Sequence, residues 1–158
     1  MIDGTEYNKL LLTRFGGVLK GGGHGDCESE ACPMEIRAIL LGLHGDDPDK
    51  SPRDAWARIM ADAVWSSDAA RTAAMREVVL RDEPDAGWPA LLAEATIRRL
   101  LPPMLRDVGL MAEAERCERE GTAEAAAAAS AVRAAASAAG NEVLRLGVQI
   151  GLDVWEAP

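Results

Sequence analysis

Apolar residues recur three or four positions apart along most of the chain, and that spacing predicts helices. Tyr7, Leu10, Leu11 and Phe15 mark a first helix from about Thr5 to Arg14, which five glycines between Gly16 and Gly23 then stop. A second helix starts at Pro33, where proline suits the first helical position and Glu35 suits the helix dipole. Its Met34, Ile36, Ile39, Leu40 and Leu43 cover more than one face and predict a central element. The run "SPRD" at 51–54 reads as a capping box with Asp54 in the place of glutamate. It opens a third helix with Trp56, Ile59, Met60, Ala63 and Val64 on one stripe. "SSDAAR" caps a fourth helix carrying Ala70, Met75, Val78 and Val79.

The loop "RDEPDAGWP" leads into a fifth helix over about 89–101, which Pro102 and Pro103 break or kink. A sixth, over about 104–120, places Leu105, Val108, Met111 and Cys117 at near-helical spacing. Thr122 caps a long last helix, alanine-rich in its first half and amphipathic around Val143, Leu144, Leu146, Val148, Ile150 and Val154 in its second. Gly140 can bend or split the two halves. No strand-period run of useful length occurs. The prediction is an all-α, single-domain bundle of six or seven helices over residues 1–158. Residues 1–32 form a flexible Gly-rich lead-in with a short helix, 33–120 the helical core, and 122–156 the long Ala-rich C-terminal helix.

Composition agrees and adds a charge. Hydrophobic residues make up 48% but aromatics only 4%, with alanine and leucine dominant, which favours closely packed helices over a β-sandwich. With 26 acids against 17 bases, the formal charge is −9. That excess argues against direct binding to nucleic acid or anionic membranes, and permits docking on a basic groove of another protein. Three cysteines fit a reducing, cytoplasmic setting without a disulfide framework. "MIDGTEYNKLLL" lacks a cationic leader region, so no signal peptide is expected. The alanine tract contains Glu124 and Arg133 and is too weakly hydrophobic to span a bilayer. Its small side chains let helix axes approach closely, either within the chain or across a homodimer.

Candidate chemistry concentrates in "GGGHGDCESEAC". His24, Cys27, Cys32 and His44 have residue types that suit tetrahedral zinc, at a spacing unusual for a finger. The plainer account is an exposed histidine, a loop cysteine and a small buried Cys32. A Cys27–His24 nucleophile lacks a rigid orienting group, while Cys32 near a helix N-terminus is a place where a thiol pKa can fall. Lys20, among glycines, lacks the strand and the Lys-Ser/Thr step of a phosphate loop. Asp46, Asp47, Asp49 and Asp54 lack the closing glutamate of a calcium loop. No cofactor, resident metal or catalytic residue is therefore assigned, and the His/Cys set stands as the zinc alternative for a regulatory or enzymatic domain. Asp46, Asp47, Asp49, Asp82, Glu83 and Asp85 are assigned instead to a partner-docking face, with Trp88 as its anchor.

The stretch "CPMEIRAILLGLHGDDPDKSP", residues 32–52, resembles a pattern in uncharacterised small proteins of phages and bacteria. Those proteins read Cys-x-Met-Glu, an apolar helix ending in Gly, Ser-Asp-x-Pro, and a second Ser-Pro or Cys-Pro. Cys32, Met34, Glu35, Gly42, Asp47, Pro48, Ser51 and Pro52 match, while Asp46 stands in for the serine. The resemblance implies a mobile-element origin and a structural helix–turn–helix staple, and no activity. In size and character alone the chain is similar to anti-CRISPR inhibitors. The expectation is a non-catalytic acidic protein that docks on the basic nucleic-acid-binding surface of a host complex and blocks access to it.

Overall fold

In this computed structural model, residues 2–21, 30–43, 52–128 and 140–155 are described. The all-α expectation holds: every regular element among the described residues is a helix. Packing groups them into two compact units, Met1–Pro84 and Asp85–Pro158. The division falls inside the stretch 33–120 that the apolar pattern assigns to one core.

Unit 1 starts with α1 (Gly4–Phe15). The Asp3 carboxylate accepts from the Thr5 N–H at 2.8 Å, and the helix ends where Gly16 turns left-handed at φ +62°. Tyr7, Leu11 and Phe15 are buried with Leu19, Ala31, Ile36, Val79 and Leu80, so α1 packs its stripe on α2 (Pro33–Leu40) and α4 (Asp68–Leu80). α2 begins at Pro33 as predicted. Its predicted Leu43 lies past the helix end, exposed beyond Gly42, whose φ is +68°.

The third helix, α3 (Pro52–Asp62), departs from the predicted stripe. Arg53, Asp54, Ala57 and Ala61 are buried, whereas Ile59 and Val64 are 64% and 87% exposed, and Trp56, Met60 and Ala63 are half-buried. The two charged residues go inward because they have work at the end of α4, described below. Arg71, on α4, closes α3 in return: its Nε donates to the Ala61 carbonyl at 2.8 Å, and its guanidinium pairs with Asp68 at 2.5 Å. That guanidinium packs over Gly21, where a Cβ would lie 2.6 Å from it. Ser67 caps α4 through its hydroxyl, which accepts from Ala70 N–H at 3.1 Å.

Unit 2 holds α5 (Trp88–Ala95), a single π turn (Thr96–Leu100), α6 (Leu101–Asp107), α7 (Met111–Glu120), α8 (Ala123–Ala128) and α9 (Asn141–Trp155). Pro102 and Pro103 have no N–H, so the carbonyls before them lose their α partners. The chain absorbs this with the π turn, in which Leu101 N–H reaches back to Thr96 O, and resumes α geometry with the prolines in its first turn. The predicted sixth helix is divided at Gly109, with φ +82°. The break resets the register, so Leu105 and Cys117 are buried while Val108 and Met111 are about half exposed. α7 ends at Gly121 (φ +65°), and Arg98 donates to the carbonyls of Glu118, Arg119 and Glu120 at 2.7, 2.8 and 3.0 Å. Thr122 caps α8 as predicted, its hydroxyl accepting from Ala125 N–H at 3.3 Å. The middle of the predicted long helix lies outside the described residues.

The Tyr7 hydroxyl is buried with no hydrogen-bond partner among the described residues, and burial pushes its pKa up to about 12. Tyr7→Phe is therefore expected to leave unfolding free energy unchanged or to raise it by about 1 kcal/mol. Urea denaturation checks this, and a loss above about 2 kcal/mol would mean that the hydroxyl is satisfied.

Candidate functional site

The last turn of α4 sets a problem that the rest of unit 1 solves. Val78, Val79 and Leu80 are buried, the following Arg81 is extended at φ −75° and ψ 152°, and no glycine closes the helix. Its terminal carbonyls would be left unpaired in an apolar setting. Two arginines from other helices supply the donors. Arg53 Nη2 donates to Val78 O at 2.6 Å, and Arg37 Nη1 donates to Val79 O and Arg81 O, each at 2.6 Å. Cations are also favoured at this negative end of the helix dipole.

Buried cations need counter-charges. Arg53 pairs with Asp54 beside it on α3. Arg37 Nη2 lies 3.5 Å and Arg53 Nη1 3.8 Å from the same oxygen of Glu83, Oε1. The arginine side chains are 8% and 1% exposed, whereas Glu83 is 53% exposed. Burial, and then the Arg53 charge, lower the pKa of Arg37. Burial raises that of Asp54, outweighing the opposing pull of Arg53. The four groups carry two positive and two negative charges and form a neutral knot joining α2, α3, the end of α4 and the loop after it.

Of the predicted docking residues, Asp46, Asp47 and Asp49 lie outside the described residues. Asp82 and Glu83 are exposed on the loop ending unit 1, and Asp85 is exposed at the start of unit 2. Trp88 does not fit the anchor role. It is 2% exposed, its Nε1 donates to Gly151 O at 3.1 Å, and its ring stands 5.4 Å from that of Trp155. The ring is consumed by the α5–α9 packing and has no face left for a partner.

Within the predicted zinc set, His24, Cys27 and His44 lie outside the described residues. No group of three or more His, Cys, Asp or Glu placed to hold a metal occurs among the described ones. Cys32 is the N-cap of α2, and its N–H donates to the Glu35 carboxylate at 2.8 Å. Its thiol moves opposite to the activation that a helix N-terminus suggests: burial pushes the pKa up to about 11. Lys20 is held by Asp68 at 2.8 Å. The residues missed by pattern reading are Arg37, Arg53 and Asp54. Their one signal is a pair of arginines at positions that face a helix core.

Elsewhere in unit 1, a cleft of about 410 Å³ opens between α1 and α2, lined by Glu6, Lys9, Leu10, Thr13, Ile39 and Leu40. No helix among the described residues is long and apolar enough to cross a membrane.

Arg53→Met is expected to destabilise unit 1 by about 3–5 kcal/mol in denaturant titrations, because it removes the guanidinium that pairs with Asp54 and donates to the buried Val78 carbonyl. Arg53→Lys is expected to restore only part of this, since a point charge cannot span carbonyl and carboxylate together. A thiol with pKa about 11 is roughly 0.1% thiolate near pH 8, so Cys32 is expected to alkylate about a hundredfold more slowly than a free cysteine. Peptide mass mapping over time checks this, and labelling at the free-thiol rate would contradict it.

No protein-family model, curated protein or solved structure matches the chain.

Proposed function

We propose that this chain is a non-catalytic acidic binding protein, a phage or mobile-element inhibitor of anti-CRISPR-like character. It docks on the basic nucleic-acid-binding surface of a host complex and keeps nucleic acid out. The observation that carries the reading is the inverted α3, which buries Arg53 and Asp54 and leaves Ile59 in solvent beside half-buried Trp56 and Met60, with Val64 exposed just past the helix end. Exposed apolar side chains grouped on and just after one helix are a feature of protein–protein contacts. The charge supports a basic partner: residues 1–84 hold 15 acids against 10 bases, and residues 85–158 hold 11 against 7. Aspartates such as Asp46, Asp47, Asp49, Asp82 and Asp85 would pair with lysines and arginines that otherwise hold phosphates. Glu83 is the weakest member of that set, because it already serves two arginines of its own chain.

The test is affinity capture of host complexes on the tagged chain, followed by nucleic-acid binding assays on the captured complex with and without the chain. The chain is expected to compete with nucleic acid, and its affinity to fall about tenfold or more from low to physiological salt. Ile59→Asp, and reversal of Asp46, Asp47 and Asp49 to lysine, are each expected to weaken capture. A salt-independent complex, or one indifferent to both changes, contradicts the reading.

A further inference from the structure

The cleft between α1 and α2 joins an aliphatic floor to a rim of balanced charge. Leu10, Ile39 and Leu40 form the floor; each is half-buried and packs in part on the core of unit 1. No aromatic ring lines the cleft among the described residues. The rim is Glu6, Lys9 and Thr13, which follow one another at three and four positions along α1 and so share a face. No ion pair or side-chain hydrogen bond joins the Glu6 carboxylate and the Lys9 ammonium to each other or to any other described residue. Thr13 Oγ1 donates its one hydrogen to the Lys9 carbonyl at 2.8 Å, so its lone pairs are what it offers a ligand. The rim therefore presents one cationic donor, Lys9, between two acceptors, and its charges cancel.

We propose that this cleft binds a small aliphatic zwitterion of the leucine and isoleucine class. Its volume of about 410 Å³ falls inside the range of small-ligand sites, about 300–1,000 Å³. The carboxylate of such a molecule meets Lys9, its ammonium meets Glu6 one turn away, and its branched side chain covers Leu10, Ile39 and Leu40. A simple anion would also face Glu6, and a simple cation would also face Lys9, so a ligand carrying both charges is the one that neither residue opposes. A floor without rings gives a flat aromatic ligand nothing to stack on. The site lies wholly within unit 1 and is independent of the docking face on α3.

The experiment is titration of L-leucine into the whole isotope-labelled chain, followed by amide NMR at about pH 6.5, where free α-amines are charged. Leucinamide, which lacks the carboxylate, and N-acetyl-leucine, which lacks the ammonium, are titrated beside it. L-Leucine is expected to shift the amides around Glu6, Lys9, Thr13 and Leu40 saturably, and to bind about three- to fivefold more tightly than either comparison compound, as exposed charge pairs allow. Lys9→Gln is expected to bind L-leucine and leucinamide alike, and Glu6→Gln to bind L-leucine and N-acetyl-leucine alike. Both positions are exposed, and the amide spectrum itself reports that each variant is folded. The proposal is overturned if no saturable shift appears up to the solubility of L-leucine, or if the shifts fall away from the cleft. It is overturned equally if either comparison compound binds as tightly as L-leucine, or if either variant keeps the preference of the unaltered chain.

Discussion

Guanidinium groups donating to helix C-terminal carbonyls are the constraint around which this protein is arranged. Arg71 closes α3, Arg53 and Arg37 close α4, and Arg98 closes α7. In each case the donor comes from a different helical segment, so one contact satisfies an orphan carbonyl and fixes one element against another. Arginine suits this better than lysine because its planar fork reaches two or three carbonyls together, as Arg98 does at Glu118, Arg119 and Glu120. Lysine accounts for only three of the 17 basic residues. Two of the closing arginines pack against glycines, Gly21 and Gly121, where a Cβ would lie 2.6 and 2.5 Å from the guanidinium.

Placing the donors inward has a cost at the surface. α3 is short, and its positions 53, 57 and 61 share the inner face. Once Arg53 occupies that face, Ile59 is turned to solvent, and Trp56 and Met60 are left half-buried. Some of the acidic residues are likewise spoken for: Asp68, Glu94, Glu118, Glu120 and Asp153 each pair with a base.

Much of the fold is legible in the sequence, because it depends on local chemistry. Pro33, Ser67 and Thr122 mark helix starts that the structure keeps, and helical periodicity finds the buried stripe of α1. Periodicity fails where a polar group has a tertiary task. In the sequence Arg37 and Arg53 look like solvated charges, and Asp54 like part of a capping box. Only the non-local requirement of the Val78 and Val79 carbonyls, 25 to 42 residues away, makes them core. The break at Gly109 was hidden for a related reason, since a glycine inside an apolar pattern is equally consistent with continuation. Trp88 reads as a loop aromatic, and only the return of α9 past it decides that it is covered.

The carbonyl that Arg37 holds at Arg81 lies three residues before the end of unit 1. The peptide bond following it is one that an arginine-directed protease recognises, yet that carbonyl must be surrendered before it can enter a protease cleft. Scission there accordingly waits on transient opening of the knot. It would part the chain close to the natural division between its two halves, so the kinetics of nicking give a clock for how often those buried cations let go.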